Sequence, residues 1–181
     1  MKMEQQQFEV RGMRYVIRSA AAGDAVELSK LRVRIDGETE HMDREAGEAF
    51  IDSKGFEKLI QSDSELERNL FLVAQAGGRL VGFSRCEGNQ LRRLAHKAEF
   101  GVCILKECWG YGIGKELLRA SLAWADSCGI TKMTLSVLET NTSAIRLYER
   151  CGFQIEGVLQ NDKLLSDGQY YNTVIMGRFR E

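Results

Sequence analysis

The chain has 181 residues, 44% of them hydrophobic and 28% charged, which suits one domain with its own core and excludes a largely disordered protein. Its 25 basic and 26 acidic side chains leave a formal charge of −1, so no global basic field for nucleic acid exists. The opening residues MKMEQQQFEVRG lack the apolar stretch of a secretory signal, and no run approaches the ~18 apolar residues of a membrane span. The five cysteines, Cys86, Cys103, Cys108, Cys128 and Cys151, are odd in number and form no C-x-x-C pair, so they read as reduced residues of a cytoplasmic protein. His41 and His96 stand far apart without a partner at ligand spacing, and no metal site is expected.

In chain order, residues 1–12 read as a flexible tail and 13–181 as one domain. Tyr15 to Arg18 is a short strand, and Ala22-Gly23-Asp24 precedes a helix with Leu28, Leu31 and Ile35 on one face. A charged second helix is expected over 44–61. The apolar run 69–74 ends at Ala76-Gly77-Gly78-Arg79, a hairpin turn, and 80–84 returns as its partner strand. A further strand covers 98–105. Gly112 and Gly114 then open a helix with Leu117, Leu118, Leu122 and Ala125 inward, ending near Cys128-Gly129. Residues 132–138 alternate as a strand, Asn141 caps a short helix that stops at Gly152, and 153–159 and 170–176 are antiparallel strands joined through Asp167-Gly168. No internal repeat or linker interrupts this mixed α/β pattern.

A strand, closely spaced glycines and an apolar helix form a phosphate-binding arrangement, because the first N–H groups of a helix are unpaired and glycines let the backbone approach an anion. Two nucleotide fingerprints fail on spacing. G-x-G-x-x-G would place its last glycine at Lys115 or Leu117, and G-x-x-x-x-G-K-[ST] would begin at Trp109 and end at Glu116.

With those excluded, the chain resembles the GNAT superfamily of N-acetyltransferases. The loop Trp109-Gly110-Tyr111-Gly112-Ile113-Gly114 follows the pattern [RQ]-x-x-G-x-[GA] after the strand 99–104, and the later block 141–153, NTSAIRLYERCGF, stands in the superfamily's order. The usual Arg or Gln at the first loop position is Trp109 here. The resemblance runs from about Tyr15 to Phe179 and is strongest between residues 98 and 160. It implies a central mixed, mostly antiparallel sheet flanked by helices, with a splayed pair of parallel strands holding CoA. The pattern of the later segments is similar to the branch of ribosomal-protein-alanine and spermidine acetyltransferases, which often carries Asp where this chain has Asn172.

The resemblance implies acetyl-CoA as cosubstrate and direct transfer to an amine-bearing small molecule, an antibiotic or a protein amine in a ternary complex; it also admits a homodimer. It assigns backbone contacts to Val102, Cys103 and Ile104, and the phosphates to Trp109, Gly110, Tyr111, Gly112, Ile113, Gly114 and Lys115. On residue pattern alone Tyr148 is a packed aromatic and Asn141 a cap. The resemblance makes Tyr148 the acid at the CoA sulfur and Asn141 a holder of the pantetheine arm, on one helix face about 10 Å apart. Glu99 is the candidate base, on a strand expected to be mostly buried, with Glu87 and Glu139 as competitors. Residues 36–68 hold eleven acidic against four basic side chains, net −7, which reads either as solvated helix faces or as an acidic lip for polyamines and other cationic acceptors.

Overall fold

A computed structural model describes residues 3–180. Its strands are β1 (Gln6–Val10), β2 (Met13–Ser19), β3 (Leu70–Ala76), β4 (Arg79–Gly88), β5 (Lys97–Ile104), β6 (Lys132–Leu138), β7 (Gln154–Leu164) and β8 (Tyr170–Phe179). The helices are α1 (Ala25–Glu38), α2 (Ser53–Glu65), α3 (Ile113–Ser127) and α4 (Thr142–Arg150). One sheet takes the order β1-β2-β3-β4-β5-β6-β8-β7, antiparallel throughout except at β5–β6. That parallel pair requires a crossover, and α3 supplies it. The mixed, mostly antiparallel sheet expected from the sequence is present.

Several boundaries differ from the sequence reading. Gln6–Val10 is a strand within the expected tail: Arg11 (φ 50°) and Gly12 (φ 80°) form a two-residue turn whose twist suits a hairpin, and Phe8 stacks on Tyr15 at 5.2 Å. The strand is at the sheet edge and mostly exposed, so its pattern is polar and its apolar signal faint. Residues 1 and 2 of that expected tail lie outside the described residues. The helix expected over 44–61 begins only at Ser53, because Gly47 (φ 86°) and Ala49 (φ 43°) interrupt the chain before it. Asp52 then caps α2, its Oδ1 accepting from the Gly55 N–H at 2.8 Å. The last two strands run longer than expected, with irregular pairing in β7 between Ile155 and Gly157 and between Leu159 and Lys163.

Side chains of a strand alternate between faces, so β5 divides the helices into two layers. Ile104 meets α3 at Gly114, whereas Cys103 points the other way and its thiol meets Met42 after α1, Sγ to Sδ 3.6 Å. α3 buries Ile113, Leu117, Leu118 and Trp124 against β3, β4 and β5. Burial of each such side chain stabilises the fold by about 1.5–3 kcal/mol. On the opposite face Phe56 of α2 packs in an aromatic group with Phe71 and Phe83.

Asp63, 2% exposed, anchors α2 to the sheet. It accepts from Asn69 Nδ2 at 2.7 Å and from Arg85 Nε at 2.5 Å and Nη2 at 2.9 Å. Removing it leaves the buried Asn69 amide and the Arg85 Nε and Nη2 without their acceptor, Glu87 alone remaining to Arg85. We expect Asp63→Ala to lower the unfolding free energy by about 3 kcal/mol, against about 1 kcal/mol for removal of the α2 cap in Asp52→Ala. Urea denaturation of both variants measures this order, and equal losses would refute it.

Candidate functional site

The site begins where β5 and β6 part. They pair only at Lys97–Lys132, Ala98–Met133 and Glu99–Thr134. Beyond that β5 stays with β4 as far as Ile104, and β6 stays with β8 as far as Leu138, so each strand is held by its outer neighbour while the inner edges diverge. Backbone groups alternate sides along a strand. Leu105 N–H donates to Val81 O at 2.9 Å, so Cys103 and Gly101 turn their backbone to β4, and Val102 and Ile104 turn theirs into the gap. Cys103 thus departs from the expectation that all three offer backbone N–H groups there; its contribution is a side chain. The Ile104 carbonyl accepts from Trp109 Nε1 at 3.0 Å, leaving the Ile104 N–H and both backbone groups of Val102 on the open edge.

The glycine loop closes one end of the gap. Gly110 (φ 83°) and Gly112 (φ 78°) both occupy the left-handed region, where a side chain would be strained. Gly114 is needed for a different reason: a Cβ there would stand 3.0 Å from Ile104 Cδ1. Glu116 N–H is the first to bond within the helix, to Gly112 O at 3.0 Å, so the N–H groups of Ile113, Gly114 and Lys115 precede the intrahelical ladder. Tyr111 packs its ring against the core, and Lys115 projects outward. Trp109, the departure from the pattern, stacks on His41 with centroids 5.9 Å apart. Burial is the main cause holding His41 below its usual value, followed by the Lys106 charge.

From the other side comes α4. The Asn141 Oδ1 accepts from the Ala144 N–H at 3.4 Å, which is the capping role, and its Nδ2 has no protein acceptor among the described residues. Gly152 (φ 88°) ends the helix, with Phe153 N–H returning to Tyr148 O at 3.0 Å. This return sets Tyr148 against Phe153, rings 5.9 Å apart, and buries all but 8% of it. Burial chiefly, and then the nearby Cys103 thiol, push the Tyr148 phenol up to about 12. The phenol therefore lies within electrostatic reach of the splayed strand.

Among the carboxylates, Glu87 accepts from Arg85 Nη1 at 2.8 Å, and Glu139 accepts from the Asn172 N–H at 2.7 Å and Nδ2 at 3.1 Å. Glu99 has no such partner among the described residues. It is exposed, contrary to the expectation of a mostly buried strand position, because this face of β5 is not covered at Gly101, where a Cβ would meet nothing within 4 Å. Glu99 and Cys103 thus flank an open floor.

The acidic segment is largely engaged. Glu38 accepts from Lys106 N–H at 2.8 Å, Glu40 from Ser166 N–H at 2.9 Å, and Asp43 pairs with Lys163. The last two fasten the connection between α1 and α2 to the end of β7 and the turn after it, and the first ties the end of α1 to the segment after β5.

Sequence reasoning missed four residues here. Arg11, from the β1–β2 turn, brings Nη1 within 4.0 Å of where a Gly110 Cβ would stand. The buried Arg32 and Asp36 form a group with the half-exposed Arg44 whose charges reach the Cys103 thiol, itself pushed up to about 12 mainly by burial. Burial first, then the Arg44 charge, holds the Arg32 guanidinium below its usual value, and burial raises the Asp36 carboxyl. The i, i+4 spacing of Arg32 and Asp36 is a sequence signal, but it reads as an exposed helix pair.

The model of the acetyltransferase (GNAT) family matches residues 38–153. The L-amino acid N-acetyltransferase of Escherichia coli (strain K12) is 30% identical over 110 residues, which cover 60% of this chain and 67% of the relative. The spermidine N(1)-acetyltransferase of the same strain is 28% identical over 135 residues, 74% of this chain and 69% of the relative, and belongs to the branch that the later segments resemble. Among solved structures, a GNAT-family acetyltransferase from Streptococcus pneumoniae superposes with a TM-score of 0.88 at 26% identity, covering 92% of this chain and 99% of that one.

If Gly112 serves an anion, its replacement has two separable effects. Gly112→Ala strains the left-handed turn by about 1 kcal/mol and weakens CoA, used as a phosphate-bearing probe. Gly129→Ala, at φ 74° beyond the far end of α3, produces the thermal shift alone. Calorimetric titration with CoA and melting curves of both variants test the distinction; equal CoA affinity in the two would refute it.

Proposed function

Because the chain belongs to the acetyltransferase (GNAT) family, we propose that it moves an acetyl group directly from acetyl-CoA to a primary amine, both substrates being bound together. The observation that carries the reading is the unpaired edge of β5 at Val102 and Ile104, with the nearly buried Tyr148 phenol in electrostatic reach of the same strand. Relatives named for an L-amino acid and for spermidine support an amine acceptor.

Acetyl-CoA supplies an acyl group activated as a thioester. In this reading the N–H groups of Ile113, Gly114 and Lys115 hold the pyrophosphate, aided by the helix dipole, the two left-handed glycines Gly110 and Gly112, and the charges of Lys115 and Arg11. Trp109 and Tyr111 shape the loop rather than bind phosphate. The open edge at Val102 and Ile104 donates to the pantetheine and the acyl carbonyl, an electrostatic aid made of backbone. Asn141 Nδ2 holds the pantetheine arm.

Tyr148 keeps its proton until about 12 and gives it to the departing sulfur. Glu99, exposed beside the open floor at Gly101, takes the amine proton through water. Cys103 lies beside the site, but a thiol pushed up to about 12 stays protonated and is a poor nucleophile, so the acyl group passes to the amine without a covalent enzyme intermediate. All five cysteines are free, and we place the enzyme in a reducing compartment such as the cytoplasm.

Thiol release from acetyl-CoA, measured against a panel of amino acids, polyamines, aminoglycosides and N-terminal peptides, tests the activity. Tight acetyl-CoA binding with no turnover on any amine would replace the enzyme with an acyl-CoA sensor. Tyr148→Phe is expected to lower kcat by about 100-fold while leaving the acetyl-CoA affinity intact. Since the wild-type phenol titrates near 12, the rate should rise with pH as the amine loses its proton and then level off. Equal loss of turnover and affinity in the variant would make Tyr148 a packing residue instead.

A further inference from the structure

Behind the splayed strand, α1 carries more positive charge than its surroundings use. Arg32 is 5% exposed and Asp36 6%. Arg32 Nε stands 3.6 Å from Asp36 Oδ2, and Arg44 Nε stands 3.8 Å from the same oxygen. Both separations exceed the 2.7–3.2 Å of an N–H···O hydrogen bond. Arg32 Nε and Nη2, Arg44 Nε and Asp36 Oδ1 are all buried without a hydrogen-bond partner. Native proteins rarely leave such groups unmet, because a buried donor without an acceptor forfeits its hydration for nothing.

The charge count sharpens the point. Two guanidiniums face one carboxylate, and the nearby Asp43 is engaged by Lys163. One positive charge is left over, on the side of Cys103 that carries Met42 and the α1–α2 connection. Arg32 is fixed within the fold, whereas the Arg44 side chain is 38% exposed and open to a ligand.

We propose that the Arg32–Asp36–Arg44 group binds a carboxylate on the acceptor, so that the acceptor is an amino acid; this deepens, and rests on, the acetyltransferase reading above. A carboxylate is planar, accepts two hydrogen bonds from a guanidinium fork and supplies the acceptors that these nitrogens lack. It also neutralises the surplus charge. A polyamine would instead bring further positive charge to a wall that already has too much. The acidic side chains that suggested a polyamine are turned to other partners at Glu38, Glu40, Asp43 and Asp63.

The test pairs each acceptor with its uncharged analogue. Thiol release from acetyl-CoA is followed with a panel of L-α-amino acids, their carboxamides and spermidine. The best amino acid is expected to exceed its carboxamide in kcat/KM by about 100-fold, since a site built around a buried charge discriminates strongly against a ligand lacking it. Arg44→Gln, at a half-exposed position, should lower kcat/KM for the amino acid at least about tenfold and that for the carboxamide by much less, narrowing the preference for the acid. Equal turnover of acid and amide, preference for spermidine, or an equal loss on both acceptors in Arg44→Gln would overturn the proposal. If acetyl-CoA binds but no amine is acetylated, the transferase reading falls. The carboxylate site is then judged by calorimetry on the CoA-loaded chain: tighter binding of an amino acid than of its carboxamide upholds it, and equal binding overturns it.

Discussion

The site depends on a parallel strand pairing that lasts for only three residue pairs. β5 and β6 meet from Lys97 to Glu99 and then separate, because each remains committed to a different antiparallel neighbour, β4 for one and β8 for the other. A sheet interior normally leaves no backbone group unpaired. Here the strands diverge and leave an open edge at Val102 and Ile104, flanked by α3 with its glycine loop and by α4 with Tyr148. The same divergence gives β5 two working faces. Ile104 meets α3 at Gly114, while Cys103 and the open floor at Gly101 belong to the opposite face, beneath the α1–α2 connection.

The loop carries a substitution that makes sense only in this setting. In place of a long cationic or amide side chain, the partly exposed Trp109 lies along the surface, donates to the Ile104 carbonyl and stacks on His41. It thus ties the loop to the α1–α2 connection. The positive charge that the loop position lacks comes from Arg11 in the β1–β2 turn, beside Gly110. That turn adopts left-handed angles at Arg11 and Gly12, so the hairpin is also what aims the guanidinium.

The segment from α1 to α2 shows how a run of charge can be read in opposite directions. Taken by itself, residues 36–68 are strongly acidic. Folded, several of those carboxylates cap α2, hold Arg85, or lash the α1–α2 connection to the β7–β8 turn. What remains near Cys103 is an arginine pair short of acceptors. Composition reports the total charge of a segment, but a ligand meets only the part that the fold has not already paired.

Much of the cofactor side was legible in the sequence because its signals are local. Glycines at 110, 112 and 114, a helix cap at Asn141, the stop at Gly152 and the alternation of residues 132–138 each act within a few residues, through backbone sterics and nearest-neighbour hydrogen bonds. By these the chain alone determined the family resemblance, the α/β class and the place of the loop. The tertiary structure decided everything that rests on distant segments meeting: where β5 leaves β6, which of Val102, Cys103 and Ile104 faces the gap, and how exposed Glu99 is. It also decided that Arg11 reaches Gly110 from the other end of the sheet and that the buried Arg32 and Asp36 meet the half-exposed Arg44 without enough partners. Burial and charge balance are sums over a whole neighbourhood, and that neighbourhood exists only once the chain is folded.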